Sequence, residues 1–214
     1  MKKSVYSITL LDELVREVDR AAYMSGTTRS GMINRILAEH LGFSTPETRR
    51  GSIFSEMERL LSGDGNFLIN STGADSLFAV KSSIRFKYNP TIRYSVAIYP
   101  ESGEFFGELR ASLRTQNAQL TSQFNVFFAI WQSLEDSYFG ARLSEINNGK
   151  FLRKLVTPKG FNNAEVLASL ASSYIRTLHE GVSAHFKFYP DVDSSAEYIS
   201  RIFRDYVSSG REII

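Results

Sequence analysis

The fold of the N-terminal part of the chain is decided by residues 4–42, SVYSITLLDELVREVDRAAYMSGTTRSGMINRILAEHLG. Apolar and more polar side chains alternate in its first seven residues. The two sets are Tyr6, Ile8 and Leu10 on one side and Val5, Ser7 and Thr9 on the other. A period of two residues is typical of a strand with two unlike faces. We therefore predict a β-strand over Ser4–Leu10.

Two amphipathic helices are predicted to follow this strand. The first begins near Asp12, which can cap a helix or occupy its first turn, and it ends at Gly26, since glycine tolerates the left-handed turn that closes helices. Thr27 or Thr28 then caps a second helix, which ends at Gly42. The apolar stripes of the two helices are Leu14, Val15, Val18, Ala21 and Ala22 in the first and Met32, Ile33, Ile36, Leu37 and Leu41 in the second.

This strand-helix-helix unit is too small to fold as a single copy. A lone strand leaves its edge hydrogen bonds unsatisfied, and about 40 residues is near the lower limit for an independent core. Pairing of two chains removes both difficulties, because two strands form an antiparallel ribbon and four helices enclose a shared core. We therefore expect a homodimer.

The order and spacing of these elements resemble the ribbon-helix-helix family of bacterial, archaeal and phage regulators, which includes the Arc, CopG and methionine repressors. The resemblance covers about residues 3–42. It rests on the strand ending at Leu10, the acidic helix start at Asp12–Glu13, and the Gly-x-Thr-Arg-Ser turn at Gly26–Ser30 followed by Ile33. It implies a ribbon-helix-helix module over residues 1–43 that dimerises and binds DNA.

The resemblance also implies which residues contact double-stranded DNA. Paired strands of this family enter the major groove, and the start of the second helix binds phosphate through free amides and its positive dipole end. The implied base contacts are Lys3, Val5, Ser7 and Thr9. The implied phosphate contacts are Lys2, Thr27, Thr28, Arg29 and Ser30.

One departure from the family pattern affects specificity. Family members often present Arg, Lys, Asn or Gln from the ribbon, whereas this chain presents valine, serine and threonine, which discriminate bases weakly. We therefore expect modest reading of each half-site. Useful affinity would need several dimers side by side or support from basic residues such as Arg49 and Arg50.

Residues 44–52, STPETRRGS, contain Pro46 and Gly51 and have no apolar period, which predicts a linker. Residues 1–50 hold eight Lys and Arg against six Asp and Glu, so the whole net charge of +2 lies in this part of the chain. The charge of the complete chain is nearly balanced and gives little support for nucleic-acid binding by itself.

Residues 53–214 predict an α+β domain in which helices pack on an antiparallel sheet. The predicted strands are 67–70, 76–88, 91–99, 104–113 and 184–189, with a hairpin turn at 100–103. The predicted helices are 53–61, 117–146 (ended by 147–149), 162–179 (opened by a capping box) and 194–207. The 16 Phe and 10 Tyr of the chain are expected mainly in the core and the dimer interface rather than in a ligand pocket.

Several function classes are disfavoured. The chain has no Cys, and His40, His179 and His185 do not have an established metal-ligand spacing. No nucleotide-binding motif or nucleophile–base set is present. We therefore expect neither an enzyme nor a metal or cofactor site. No apolar run approaches the roughly 20 residues that a bilayer requires, so we expect a cytoplasmic protein without a membrane partner.

These features predict a sequence-specific DNA-binding transcriptional regulator, a repressor that acts as a homodimer with its β-ribbon in the major groove. The C-terminal domain would assemble dimers into higher oligomers, sense a ligand or hold a partner protein. The alternative is a plasmid-partition, relaxosome or phage accessory protein that uses the same DNA module. An antitoxin is disfavoured by the large C-terminal domain, and a DNA-targeted enzyme by the missing catalytic set.

Overall fold

The computed structural model describes residues 4–43, 45–70, 77–87, 89–100, 103–160, 163–209 and 214. Within these residues the α+β class is confirmed, with six helices and one six-stranded antiparallel sheet. The helices are α1 Asp12–Met24, α2 Arg29–His40, α3 Pro46–Ser62, α4 Ala118–Phe139, α5 Ala164–Phe188 and α6 Val192–Ser208. The strands are β1 Leu68–Ile69, β2 Phe78–Ser83, β3 Thr91–Ile98, β4 Phe105–Leu113, β5 Ser144–Asn147 and β6 Lys150–Val156. The chain divides into two units, Met1–Thr48 and Arg49–Ile214.

The two predicted N-terminal helices are confirmed. Asp12 lies in the first turn of α1, where an acidic side chain is favourable beside the positive end of the helix. Gly26 and Gly42 follow α1 and α2 with φ values of 62° and 64°, a conformation that glycine adopts without strain. Thr28 is the residue that caps α2, and its hydroxyl accepts a hydrogen bond from the Gly31 amide at 3.1 Å.

The strand predicted at Ser4–Leu10 is wrong for the single chain. These residues have no regular secondary structure, and the first strand among the described residues is β1. A strand satisfies its backbone groups by pairing with a neighbour, and a unit that consists of two helices offers no such neighbour. The single chain thus contains the helix-helix part of the predicted ribbon-helix-helix module but not the ribbon.

The linker predicted at residues 44–52 is helical from Pro46 onward, since α3 begins there. Proline suits the first position of a helix because the missing amide has no partner there. Before it, the Thr48 amide donates to the Thr45 hydroxyl at 3.0 Å and the Thr45 amide donates to the Thr48 hydroxyl at 2.9 Å. The first turns of α3 are polar and precede its buried residues, so their sequence predicts a linker.

The sheet has the strand order β1-β2-β3-β4-β6-β5, and all neighbours are antiparallel. The predicted hairpin of β3 and β4 is confirmed, although residues 101 and 102 of its turn lie outside the described residues. A bulge interrupts β4 before Gly107, where an added Cβ would lie 2.3 Å from the Ala97 carbonyl oxygen. Only glycine fits this close approach of the two backbones.

Two predictions in the C-terminal unit are wrong. The helix predicted at 117–146 ends at Phe139, and residues 144–147 form β5, so Asn148 and Gly149 make a hairpin turn to β6 instead of ending a helix. The strand predicted at 184–189 belongs to α5, which continues to Phe188. Because this part of α5 buries three consecutive residues, 184–186, its apolar run has no helical period.

One hydrophobic core lies between the sheet and the helices of the C-terminal unit. The Phe54 ring of α3 lies 5.9 Å from Phe78, and the Phe128 ring of α4 stacks on Phe151 at 5.1 Å. The α6 helix packs on α5 and α4. The prediction that aromatic residues lie in the core is confirmed for the C-terminal unit, where Trp131 and its phenylalanine neighbours are buried, and their predicted role in a dimer interface stays a prediction. No described helix has the length and apolar character needed to cross a membrane.

Candidate nucleic-acid interface

The four residues predicted to contact phosphate at the start of the second helix lie together in one turn: Thr27, Thr28, Arg29 and Ser30. The turn is tight at Gly31. A Cβ at this position would lie 2.6 Å from the Thr27 hydroxyl and 3.3 Å from that of Thr28, so the turn requires glycine here. The first amides of a helix have no partner within the helix. Thr28 satisfies that of Gly31, so the amides of Arg29 and Ser30 remain suited to bind an anion.

The Arg29 side chain is bound by the Asp19 carboxylate, a contact that the sequence pattern does not predict. Its Nε and Nη2 donate to the two carboxylate oxygens of Asp19 at 2.6 and 2.5 Å, which ties α2 to α1. This pairing raises the pKa of Arg29 and lowers the pKa of Asp19. A phosphate would therefore compete with Asp19 for the guanidinium group. The two residues are ten positions apart across a turn, so no helical spacing signals the pair.

The predicted base-contacting residues precede α1. Val5, Ser7 and Thr9 are exposed, with Val5 98% exposed. Lys2 and Lys3 lie outside the described residues. The single chain therefore presents three of the predicted base contacts to solvent.

The N-terminal unit leaves most of its large apolar side chains uncovered. Only Val18, Ala22 and Met32 form its small buried cluster. Eleven of the fourteen exposed large hydrophobic residues in the described chain precede residue 44. They are Val5, Tyr6, Ile8, Leu11, Leu14, Tyr23, Met24, Ile36, Leu37, Leu41 and Phe43.

A serine, a histidine and a tyrosine meet inside the C-terminal unit. His179 Nε2 lies 3.0 Å from the Ser82 hydroxyl, and His179 Nδ1 lies 3.1 Å from the Tyr94 hydroxyl. The Ser82 hydroxyl donates to the Asn66 carbonyl oxygen at 2.6 Å, so it accepts from Nε2, and Nδ1 accepts from Tyr94. Burial lowers the pKa of His179 to about 4. In this tautomer the imidazole cannot take the proton of Ser82, which makes the cluster a packing network rather than a nucleophile–base pair.

A buried ion pair joins β6 to α4. Arg153 Nε donates to Glu135 Oε1 at 2.9 Å, and the Tyr174 hydroxyl donates to the same oxygen at 2.7 Å. Burial raises the pKa of Glu135, and Arg153 opposes that shift. The burial of Arg153 can be predicted from the sequence, because strand alternation places it on the same face as Phe151 and Leu155.

His185 contacts a serine of α6. His185 Nδ1 lies 2.8 Å from the Ser195 hydroxyl, in contacts separate from those of His179. Among the described residues, no three His, Cys, Asp or Glu side chains are grouped so that they could hold a metal ion.

Comparisons of the chain with protein-family models, with curated proteins and with solved structures gave no match.

Proposed function

We propose that the protein binds double-stranded DNA as a homodimer through residues 1–43 and represses transcription. Residues 4–10 of two copies would pair as a ribbon that enters the major groove, and the start of α2 would bind the flanking phosphates. The observation that carries the proposal is the apolar surface that the N-terminal unit leaves uncovered.

A second copy of the same unit is the occupant that fits this surface. Leu14, Ile36, Leu37 and Leu41 belong to the apolar stripes of α1 and α2, yet each is 44% exposed or more. A single folded unit rarely exposes so many large apolar side chains to water. A twofold pair brings the same surfaces together, and it also supplies the missing partner for the backbone of residues 4–10.

The polar groups of the unit support DNA as the ligand. In a paired ribbon, Val5, Ser7 and Thr9 lie on one face, and Tyr6, Ile8 and Leu10 lie on the other. The second face can pack against the helices while the first faces outward. Residues 1–43 carry six Lys and Arg against five Asp and Glu, a small positive excess. Ser7 and Thr9 can hydrogen-bond base edges, and the positive excess favours a ligand that carries phosphate.

The test is selection of bound genomic DNA fragments by the full chain, followed by footprinting and measurement of the oligomeric state by sedimentation. We expect a dimer that protects repeated or palindromic sites. The Leu37→Glu variant should be monomeric and should lose these sites, because a charge cannot be buried between the units. Val192→Glu, a similar change at an exposed apolar residue at the start of α6, is the matched control and should retain both properties. A monomeric wild-type chain, or one that enriches no fragment, would refute the proposal.

A further inference from the structure

In the C-terminal unit, helices α3, α4 and α5 pack on one face of the six-stranded sheet. Most strand residues of the hydrophobic core lie on this face, for example Ile92, Tyr94 and Val96 of β3. Successive strand residues point to opposite faces. Arg93 and Ser95 therefore lie on the opposite face, and we call this the outer sheet face.

Cations dominate the outer sheet face. Directly opposite residues of antiparallel strands share a face, so the strand register assigns five cations to it. They are Lys81, Arg93, Arg110, Lys150 and Lys154. The same register assigns two acids, Glu108 and Glu145. The face therefore carries a clear positive excess in a unit whose residues beyond position 50 are neutral in sum.

Most of these cations are not neutralised within the face. Glu108 is held by Arg110, whose Nη2 lies 2.5 Å from its Oε1, and by the Tyr99 hydroxyl. Lys81 lies directly opposite Arg93, a like-charge pair that destabilises a sheet. Arg93 Nε has no hydrogen-bond partner among the described residues. An anion bound between the two cations would remove the repulsion between them.

The cations form a row that matches a chain of phosphates. Lys81 pairs with Arg93, Arg93 with Ser112, and Ser112 with Lys150, so the row crosses four strands. Three strand spacings of about 4.8 Å give it a length of about 14 Å. One DNA strand carries one phosphate per about 3.4 Å of helix axis, so a row of this length can meet more than one phosphate. The short Ser112 side chain leaves room for a backbone to approach the sheet.

We propose that the outer sheet face is a second nucleic-acid surface, which binds the sugar–phosphate backbone through Lys81, Arg93 and Lys150. The choice of nucleic acid as the polyanion rests on the proposed function of the N-terminal unit. Phosphate contacts position a protein without reading sequence, so this surface adds affinity for every duplex.

The test measures binding of the full chain to a labelled random-sequence duplex by fluorescence anisotropy between about 50 and about 200 mM salt. The variant K81T/R93T/K150T removes the three cations while keeping a residue that favours strands. We expect its affinity to fall roughly ten-fold or more, and the slope of log affinity against log salt to become shallower by about two to three units. The charge-conserving variant K81R/R93K/K150R should bind as wild type. The control R59Q/R201Q/R204Q removes the same charge from α3 and α6 and should have a much smaller effect.

Each outcome distinguishes the two nucleic-acid proposals. If L37E retains wild-type duplex affinity while K81T/R93T/K150T loses it, the N-terminal proposal fails and the outer sheet face stands. A K81T/R93T/K150T variant with wild-type affinity and salt slope overturns the outer sheet face alone. A wild-type chain that binds no duplex overturns both. Vesicles of phosphatidylcholine with phosphatidylserine are the second probe. Loss of vesicle binding in the triple variant with unchanged duplex binding would assign the face to a lipid surface and overturn the proposal.

Discussion

Arg153 and Glu135 form an ion pair in the interior of the C-terminal unit, with side chains that are 0% and 2% exposed. The guanidinium of Arg153 also lies 5.0 Å from the centre of the Tyr174 ring and 5.1 Å from that of Phe139. The pair thus connects β6, α4 and α5 at a place where the neighbouring side chains are aromatic.

Breaking this pair should destabilise the fold more than removing it completely. Arg153→Met leaves the Glu135 carboxyl group buried without its cation, so the free energy of unfolding should fall by about 3–5 kcal/mol. The double variant R153M/E135L removes both charges and should be more stable than R153M. Urea unfolding measures both values. A double variant that is less stable than R153M would contradict this prediction and would indicate that Glu135 stabilises the fold through Tyr174.

Stability should fall as the pH falls from 6.5 to 4, because of His179. Its folded-state pKa of about 4 lies below the ordinary 6.5, so in this window the unfolded chain binds a proton that the folded chain does not. The loss should reach about 3 kcal/mol at the acidic end. His179→Gln retains an acceptor for Tyr94 and a donor for Ser82 but does not titrate. The difference in stability between the two proteins should therefore depend on pH, and parallel pH profiles would contradict the prediction.

Releasing Arg29 from Asp19 should strengthen DNA binding. Asp19→Asn removes the carboxylate that holds the guanidinium group, which then becomes free to contact a phosphate. Affinity should rise for all duplex sequences alike, as fluorescence anisotropy can measure. Glu17→Gln removes the same charge from α1 without touching Arg29 and serves as the control. An equal gain in both variants would attribute the effect to net charge alone.

Gly107→Ala should distort the hairpin of β3 and β4. The new Cβ would lie 2.3 Å from the Ala97 carbonyl oxygen, so the two backbones must separate. We expect a loss of at least about 2 kcal/mol in thermal or urea unfolding. Gly103→Ala lies near the same turn with no atom within 4 Å of the new Cβ and should be nearly neutral. If both variants unfold alike, the close approach is not a constraint.

Local sequence patterns predict the elements that have one buried face and one more exposed face. The strand alternation of β3 is one case: Ile92, Tyr94 and Val96 are buried, while Arg93 and Ser95 are half-buried. The cap of α2 at Thr28 is another, because its chemistry depends on neighbours within three residues.

The remaining features depend on contacts between distant parts of the chain. The end of α5 reads as a strand because it is buried on more than one side. The pairing of Arg29 with Asp19, and the row of Lys81, Arg93 and Lys150, arise from packing and register. Neither feature can be predicted from local spacing. The start of α3 is predicted as a linker because the buried residues of this helix come later in it.

The uncovered apolar surface of the N-terminal unit also sets how DNA occupancy would respond to the amount of protein. If the DNA-binding form is a pair, its concentration rises with the square of the free-chain concentration while pairs are scarce. Halving the amount of chain would then reduce the number of pairs about four-fold. A gene controlled in this way would switch over a narrower range of protein concentration than a single chain could impose.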